Sequence, residues 1–378
     1  MTRFLHTADL QLGKASHFLA PEARDRYRQD RIDAVRSLGE VARAESAEFV
    51  VVAGDVFDSN DVDRATVVRR SLDAFADLRV PVYLLPGNHD HLGIRSVWNF
   101  VAANAPANVT VLTDSTPHLA VAGVEVVGAP WTSKRPLQDP LAAAYDLGLP
   151  AEGIRRVLVG HGMVDEIFPV DRIDQRMIRL AALESALNEG RFHYAALGDR
   201  HSFTRVGHSG RVFYPGAPEP TSWDETDPGH VVLVDLSQQV EVRAIQVGQW
   251  TFETVEATLD STLDVDALER RLKDIARKDY RAIRIVAQGS LTVGERARLT
   301  EAIFELKGSF GQLELSDAED LITRPEHVDP DDLGLVGYQR RAYEELLAGA
   351  TAGGGDDIAA EALVLLDRLV RRSVRSAA

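Results

Sequence analysis

The sequence of 378 residues contains no cysteine and no apolar run of the length that a membrane-spanning helix needs. Without cysteine there is neither a disulfide framework nor thiolate chemistry, a composition that fits the reducing cytoplasm. A membrane helix requires about 20 mainly apolar residues, and the amino-terminal residues do not show the charged-then-apolar layout of a secretion signal. We therefore expect a cytoplasmic protein that does not associate with a membrane.

Basic residues are outnumbered by acidic ones. The chain has 42 lysines and arginines against 58 aspartates and glutamates, a formal net charge of −16. Proteins that bind nucleic acids tightly by themselves neutralise phosphates with Lys and Arg, so this balance is unfavourable for such binding. It does not exclude phosphate chemistry, because bound divalent cations can reverse the sign of the local field. A phosphate-cradling Gly-Lys-Ser loop is absent as well, so we expect that the chain does not bind ATP itself.

Apolar strands and amphipathic helices alternate in the first part of the chain. The predicted elements are a strand at 3–8, a helix at 21–47, a strand at 48–53, a helix at 63–78 and a strand at 80–85. This alternation indicates parallel strands joined by helical crossovers. Short β-rich stretches with tight turns follow up to about Gly248. For residues 1–250 we predict an α/β domain of two packed sheets flanked by helices.

A second pattern begins near Thr251. Helix and strand patterns at 264–278, 281–287, 292–306 and 311–315 predict a small α/β unit over residues 251–325. Residues 326–378 are predicted to contain a linker and then two amphipathic helices, at 338–347 and 358–372. From the pattern alone these helices either pack on their parent domain or form a hairpin that docks a partner helix.

Five clusters of polar residues each follow an apolar strand of the first domain. They are Asp9-Leu10-Gln11, Gly54-Asp55 with Asp58, Gly87-Asn88-His89-Asp90, Gly160-His161 and Gly198-Asp199-Arg200-His201. One such cluster is usually a cap or a turn, but a series of them at strand ends is typical of a ligand site in an α/β protein. Carboxylate, amide and imidazole groups without sulfur suit manganese, magnesium or iron better than a structural zinc ion.

These residue types predict a site for two divalent metal ions. Two ions about 3.5–4 Å apart form a clamp for in-line displacement at phosphorus. We expect Asp55 to bridge them because it lies on a central strand in the middle of the series. The other predicted ligands are Asp9, Gln11 and His201 for one ion and Asn88, His161 and Asp199 for the other.

Two further residues are predicted to act beside the metal ions. His89 is left over from the ligand set, and it could donate to the phosphate or protonate the leaving oxygen. Asp58 is predicted to orient the site from just outside the ligand set, although it could equally cap the next turn. We assign both to the catalytic residues.

The motif series resembles that of the calcineurin-like metallophosphoesterases, and within them the SbcD-type DNA repair nucleases. The matching stretches are LHTADLQLG, GDVFD, GNHD, VGHG, YAALGDRH and YPGAPEP, which together span residues 4–220. The resemblance implies a metal-dependent phosphodiesterase that acts on DNA as an exonuclease and endonuclease subunit. It carries over Asp9, Asp55, Asn88, His161 and His201 as metal ligands and His89 as the catalytic histidine.

The resemblance also implies the roles of the other segments. Residues 251–325 correspond to a small capping domain, and residues 326–378 to the segment that grips the coiled coil of an SbcC-like ATPase. A homodimer is a further expectation from the resemblance. Gln11 and Asp199 depart from the family pattern, which usually has histidine at both positions. Manganese is therefore the expected metal, with magnesium or iron as alternatives, and the ion at Gln11 is expected to be the looser one.

Two other functions stay open from the sequence. The first is a phosphodiesterase or phosphatase for small nucleotides, which needs the same metal site but gives no purpose to the capping domain and the terminal helices. The second is a non-catalytic scaffold in which the altered ligands hold ions poorly. Turnover of a small diester without cleavage of DNA favours the first, and partner binding without hydrolysis favours the second.

Overall fold

A computed structural model describes residues 2–167, 176–237, 239–316, 320–324, 335–351 and 357–376. It consists of two compact units. The first unit comprises Met1–His17 and Arg24–Trp250, and the second comprises Phe18–Ala23 and Thr251–Ala378. None of the helices within these described ranges is both long and apolar enough to cross a bilayer.

Twelve strands and five helices make up the chain as far as Trp250, counted over the described ranges. The strands are β1 (Arg3–Thr7), β2 (Phe49–Val52), β3 (Val82–Leu84), β4 (Val109–Val111), β5 (His118–Val121), β6 (Val124–Ala129), β7 (Arg155–His161), β8 (Tyr194–Gly198), β9 (Thr204–Val206), β10 (Val212–Tyr214), β11 (His230–Leu236) and β12 (Val240–Gln246). The helices are α1 (Pro21–Glu45), α2 (Arg69–Ala76), α3 (Trp98–Asn104), α4 (Ala142–Tyr145) and α5 (Leu180–Asn188).

The strands form two six-stranded sheets. One sheet has the order β12-β11-β1-β2-β3-β4, and the other has the order β5-β6-β7-β8-β10-β9. Strands β1 to β4 pair in parallel, as do β6, β7 and β8, because helices or long loops connect them. A tight turn at Ala122-Gly123 joins β5 and β6, which pair antiparallel. The predicted α/β class with two sheets is confirmed.

The core of this unit lies in three apolar layers. In β2 all four residues are buried, and they alternate between two of these layers as the side chains of a strand must. Val50 and Val52 pack toward the helices with Leu38 and Phe75, whereas Phe49 faces the opposite layer with β7 residues such as Val159. A third layer fills the space between the second sheet and helices α4 and α5. Continuous apolar strands are expected where both faces of a sheet are covered.

The segment predicted as one helix over 63–78 contains two helical forms. A π-helical turn spans Arg64–Val68, and α2 continues from it. The carboxylate of Asp63 accepts the backbone N–H groups of Ala65 and Thr66 and so caps the first turn. The amphipathic pattern predicted the helical segment but not the wider first turn.

The second unit contains one parallel sheet and four helices, counted over the residues that the structure describes. Its strands are β13 (Thr251–Leu259), β14 (Arg281–Thr292), β15 (Gln312–Leu315) and β16 (Leu321–Arg324). Its helices are α6 (Thr262–Asp274), α7 (Val293–Lys307), α8 (Tyr338–Thr351) and α9 (Asp357–Ser376). Strand β14 pairs in parallel with β13, β15 and β16.

Strand β13 corrects the sequence prediction, which began this unit with a helix. Only Val255 and Leu259 of the strand are buried, so its apolar pattern is sparse. The predicted linker falls mostly on residues 325–334, which lie outside the described residues. The assignment of 251–325 and 326–378 to separate functional segments stays a prediction.

Candidate metal centre

Three of the predicted ligands form a compact buried group. Asp9, Asp55 and His161 each offer a ligand atom, and these atoms all lie within 4.8 Å of one another. Their exposed fractions are 0%, 1% and 0%. Two carboxylates at this depth repel each other and lose their hydration, so a cation between them lowers the free energy of the folded site.

The ligand loops have an unusual backbone conformation. Asp9, Gln11, Asp55 and Asp199 all have positive φ angles, of 55°, 40°, 50° and 97°. Non-glycine residues seldom adopt this region, and it is held only where the surroundings determine it. Here the Asp9 N–H donates to the carbonyl of Gly54 at 3.1 Å, and the Gln11 N–H donates to that of Asp55 at 2.9 Å. The loops after β1 and β2 therefore hold each other in place.

Asp55 lies at the centre of the group. Its Oδ1 atom accepts the backbone N–H of His89 at 3.0 Å and lies 3.4 Å from Nε2 of His161. Gly87 permits this approach, because a Cβ atom there would come within 2.2 Å of Asp55 Oδ1. Burial raises the pKa of Asp55, but the imidazoles of His161 and His89 outweigh this effect and hold the pKa below its usual value. The carboxylate is therefore charged and suited to bridging cations.

His161 presents one nitrogen to this group. Its Nδ1 atom lies 2.8 Å from the carbonyl oxygen of Ala53, and since a carbonyl can only accept, Nδ1 carries the hydrogen. Nε2 then faces Asp55 and lies 3.7 Å from Oδ1 of Asp199. The Nδ2 atom of Asn88 donates to that same Asp199 oxygen at 3.2 Å. The side chains predicted to bind one ion thus lie together.

The side chains predicted for the other ion also lie together. His201 Nε2 lies 3.7 Å from Asp9 Oδ1 and 3.3 Å from Gln11 Nε2. The opposite ring nitrogen, Nδ1, contacts the hydroxyl of Thr221 at 2.7 Å and Oε1 of Glu225 at 2.8 Å. Outer partners of this kind set the tautomer and orientation of a metal-binding histidine. Sequence reasoning missed Thr221 and Glu225, because no spacing relates them to the ligand motifs.

Three potential metal-ligand atoms indicate that the site suits divalent cations. Gln11 Oε1, Asn88 Oδ1 and His161 Nε2 are buried and have no hydrogen-bond partner among the described residues. Buried polar atoms are normally hydrogen-bonded, and amide oxygen and imidazole nitrogen are ligands of manganese and related ions. Burial and the carboxylates of Asp55 and Asp199 raise the pKa of Asp9 to about 7, even though nearby imidazoles oppose the shift. The residues therefore fit a binding site for positive charge.

His89 lies at the solvent side of this group. Its side chain is 48% exposed, and Nε2 lies 3.9 Å from Asp55 Oδ2. Nδ1 lies 3.0 Å from the backbone carbonyl of Asp58, whereas the Asp58 carboxylate lies 3.6 Å from Nζ of Lys14. Asp58 thus orients His89 through its main chain rather than its carboxylate.

Two residues that were given no role from the sequence support the turn around His89. The carboxylate of Asp90 accepts the N–H groups of Gly87 at 2.7 Å and Phe57 at 3.0 Å. Burial and the nearby Asp55 raise the pKa of Asp90 to about 8. Trp131 donates its indole N–H to the carbonyl of His161 at 2.7 Å. Asp90 belonged to a quoted motif, but Trp131 had no signal in the sequence.

Comparison with known proteins agrees with this geometry. Residues 2–229, more than half of the chain, match the family model of the calcineurin-like phosphoesterases. The chain belongs to this family, whose members hydrolyse phosphoesters with divalent metal ions. Such ions lower the pKa of a bound water so that hydroxide is available near neutral pH.

The following proteins each resemble part of the chain. An uncharacterized metallophosphoesterase, YhaO of Bacillus subtilis (strain 168), is 28% identical over 121 residues, which are 30% of this chain and 28% of that protein. The chain therefore spans less than a third of that relative's length. Among solved structures, TT1561 of Thermus thermophilus is 11% identical, with 65% of this chain and 99% of that one covered at a TM-score of 0.38. A dimetal phosphatase from Danio rerio is 14% identical, with 65% of this chain and 96% of that one covered at a TM-score of 0.41.

Proposed function

We propose that the protein is a DNA nuclease that hydrolyses phosphodiester bonds with two divalent metal ions, as the nuclease subunit of an SbcCD-like repair complex. The observation that carries the proposal is the position of His89. Its side chain is half exposed above a buried set of metal-binding groups. A phosphate of a long polymer can approach such a site from solvent, with His89 on its outer side.

The charge of the chain supports a partner that holds the DNA. A net charge of −16 disfavours strong DNA binding by this subunit alone. Helix α9 supports a coiled-coil partner, because Ile358, Leu365 and Leu369 are 78%, 54% and 55% exposed. Ile358 and Leu365 are seven residues apart, and Leu365 and Leu369 are four apart. All three therefore lie on one face of the helix, as in a coiled-coil seam. We infer that an SbcC-like ATPase binds there.

The ligand set supports manganese or magnesium rather than zinc. Asp9, Asp55 and Asp199 supply three carboxylates, and Gln11 supplies a neutral oxygen, so the site is rich in hard donor atoms. Thiolate ligands are absent because the chain has no cysteine. Hydrolysis by the zinc-loaded protein that clearly exceeds hydrolysis by the manganese-loaded protein contradicts this choice of metal.

The first experiment is cleavage of end-labelled linear DNA in the presence of manganese. We expect the wild-type protein to cleave it, and His89→Ala to lose at least about a hundredfold in rate, the usual contribution of a general acid. Metal analysis should still find the ions in His89→Ala, since His89 is not in the ligand set. His208→Ala, at an exposed histidine outside the predicted ligand set, is the matched control. Full activity of His89→Ala refutes the assigned role.

A phosphodiesterase for small nucleotides is the second candidate. A cavity of about 320 Å³ beside Asn88 and His89 favours it, since pockets for small ligands begin at about 300 Å³. Turnover of a cyclic or dinucleotide substrate without any cleavage of linear DNA supports this candidate against the nuclease. Partner binding without metal-dependent hydrolysis of either substrate indicates a scaffold.

A further inference from the structure

The cavity beside the metal-binding residues has two different walls. The wall next to the metal centre is formed by Asn88, His89 and Asp199. The other wall of the cavity is formed by Trp131, Met163 and Met177. The sequence contains three methionines in all, one of which is Met1, so both internal methionines line this one cavity. We call it the methionine pocket.

Backbone hydrogen bonds hold the two methionines side by side. The N–H of Ile178 donates to the carbonyl of Met163 at 2.9 Å, and the N–H of Asp165 donates to the carbonyl of Ile178 at 3.0 Å. Tyr214 anchors the same loop, because its hydroxyl donates to the Gly162 carbonyl at 2.8 Å. Both methionine side chains are partly exposed. The wall is therefore a fixed structure with accessible sulfur-containing side chains.

Trp131 connects this wall to the metal centre. It is 8% exposed, and its indole N–H donates to the His161 carbonyl. Its backbone N–H donates to the carbonyl of Pro86 at 3.1 Å, and its own carbonyl accepts the N–H of Leu92 at 2.8 Å. Pro86 and Leu92 flank the turn that carries Asn88 and His89. The position of the pocket relative to the catalytic turn is thus determined by direct contacts.

We propose that the methionine pocket binds the base of the nucleotide next to the scissile phosphate. Thioether sulfur makes favourable contacts with aromatic rings, and the flexible methionine side chain adapts to rings of different shape. Contact between the thioethers and the flat face of a base reads none of its hydrogen-bonding groups, so this contact does not select a sequence. Lys134 also lines the pocket and is exposed, so it can pair with a neighbouring phosphate of the strand. This inference rests on the proposed function and adds to it how the substrate is held.

Direct binding to the manganese-loaded full-length protein tests the pocket without turnover. The probes are deoxyadenosine 5′-monophosphate and 2-deoxyribose 5-phosphate, in which an anomeric hydroxyl replaces the base, and calorimetry gives each Kd. For the wild type we expect the nucleotide to bind about tenfold more tightly than the sugar phosphate. Met163→Ala combined with Met177→Ala should abolish this difference and leave the Kd of the sugar phosphate unchanged.

Two single variants separate the contributions. Lys134→Ala should leave the ratio of the two Kd values unchanged, because the two probes carry the same single phosphate and differ at the base. Leu137→Ala shortens an 86% exposed apolar side chain that does not line the pocket, so it should change neither Kd. Equal Kd values of the two probes for the wild type overturn the proposal, and so does a methionine variant that weakens both probes equally.

The outcome for the pocket is distinct from the outcome for the nuclease. Base-dependent binding without cleavage of linear DNA upholds the pocket and refutes the nuclease in favour of a small-nucleotide enzyme. Cleavage of DNA with equal binding of the two probes upholds the nuclease and refutes the pocket.

Discussion

The amide nitrogen of Gln11 lies 3.3 Å from Nε2 of His201, and Oε1 of Gln11 is buried without a hydrogen-bond partner among the described residues. The amide therefore stands beside a histidine in the metal-binding group. An amide oxygen is a weaker donor to transition metals than an imidazole nitrogen, which is the basis of the first prediction.

Gln11→His should tighten the weaker of the two manganese sites by about tenfold, because imidazole replaces a neutral oxygen donor. Calorimetric titration of the metal-free protein with manganese measures both sites. Gln288→His, at an exposed position on β14, controls for adding a histidine anywhere. Tightening of the stronger site alone contradicts the assignment of Gln11 to the looser ion.

Glu225→Gln should weaken manganese binding at the His201 side by about 10–100-fold, the effect of losing an outer partner of a metal-binding histidine. The Glu225 carboxylate contacts Nδ1 of His201 and accepts the N–H of Thr221 at 2.9 Å. The same titration measures the change, and Glu152→Gln, at an exposed residue, is the control. An unchanged manganese affinity shows that Thr221 alone orients the ring.

Trp131→Phe retains an aromatic ring but removes the N–H donor to the His161 carbonyl. The loss of this bond should lower the free energy of unfolding by about 1–3 kcal/mol, because the buried carbonyl is left unsatisfied. It should also lower kcat/KM for a diester, since His161 and the turn of His89 both contact Trp131. Urea unfolding and steady-state kinetics measure the two effects. Wild-type values of both quantities for Trp131→Phe contradict the proposed support.

Glu219→Gln should change the pH dependence of stability. Glu219 is 1% exposed and accepts the N–H groups of Gln249 and Trp250, and burial raises its pKa from 4.5 to about 7. Below the ordinary pKa the carboxyl is protonated in both states. As the pH rises to 7 the unfolded chain releases the proton first, so the wild type loses about 3 kcal/mol of stability in this window.

The glutamine variant cannot titrate and should not show this loss. Its free energy of unfolding relative to the wild type should therefore increase between pH 4.5 and about 7, as measured with urea in the presence of a chelator that removes the metal contribution. Glu40→Gln, at an exposed residue of α1, should follow the wild type at each pH. A constant difference between Glu219→Gln and the wild type refutes the raised pKa.

Much of the site could be predicted from local patterns. Each motif follows an apolar strand, and parallel strands present their carboxyl ends at one edge of a sheet. Asp9, Asp55 and His161 follow this rule, and their ligand atoms lie within 4.8 Å of one another. The same pattern predicted the two sheets. Strand β13 escaped prediction because only Val255 and Leu259 are buried in it, too few to produce a clear periodicity.

By itself, the sequence determined which residues have the chemistry to bind metal ions, and that strand ends bring them together. Only the tertiary structure decided how they are supported. Glu225 reaches His201, Trp131 reaches His161, and the Asp58 carbonyl rather than its carboxylate reaches His89. These contacts join residues 24, 30 and 31 positions apart. Strand pattern and turn residues encode local geometry, whereas a contact between distant segments depends on how the folded elements pack.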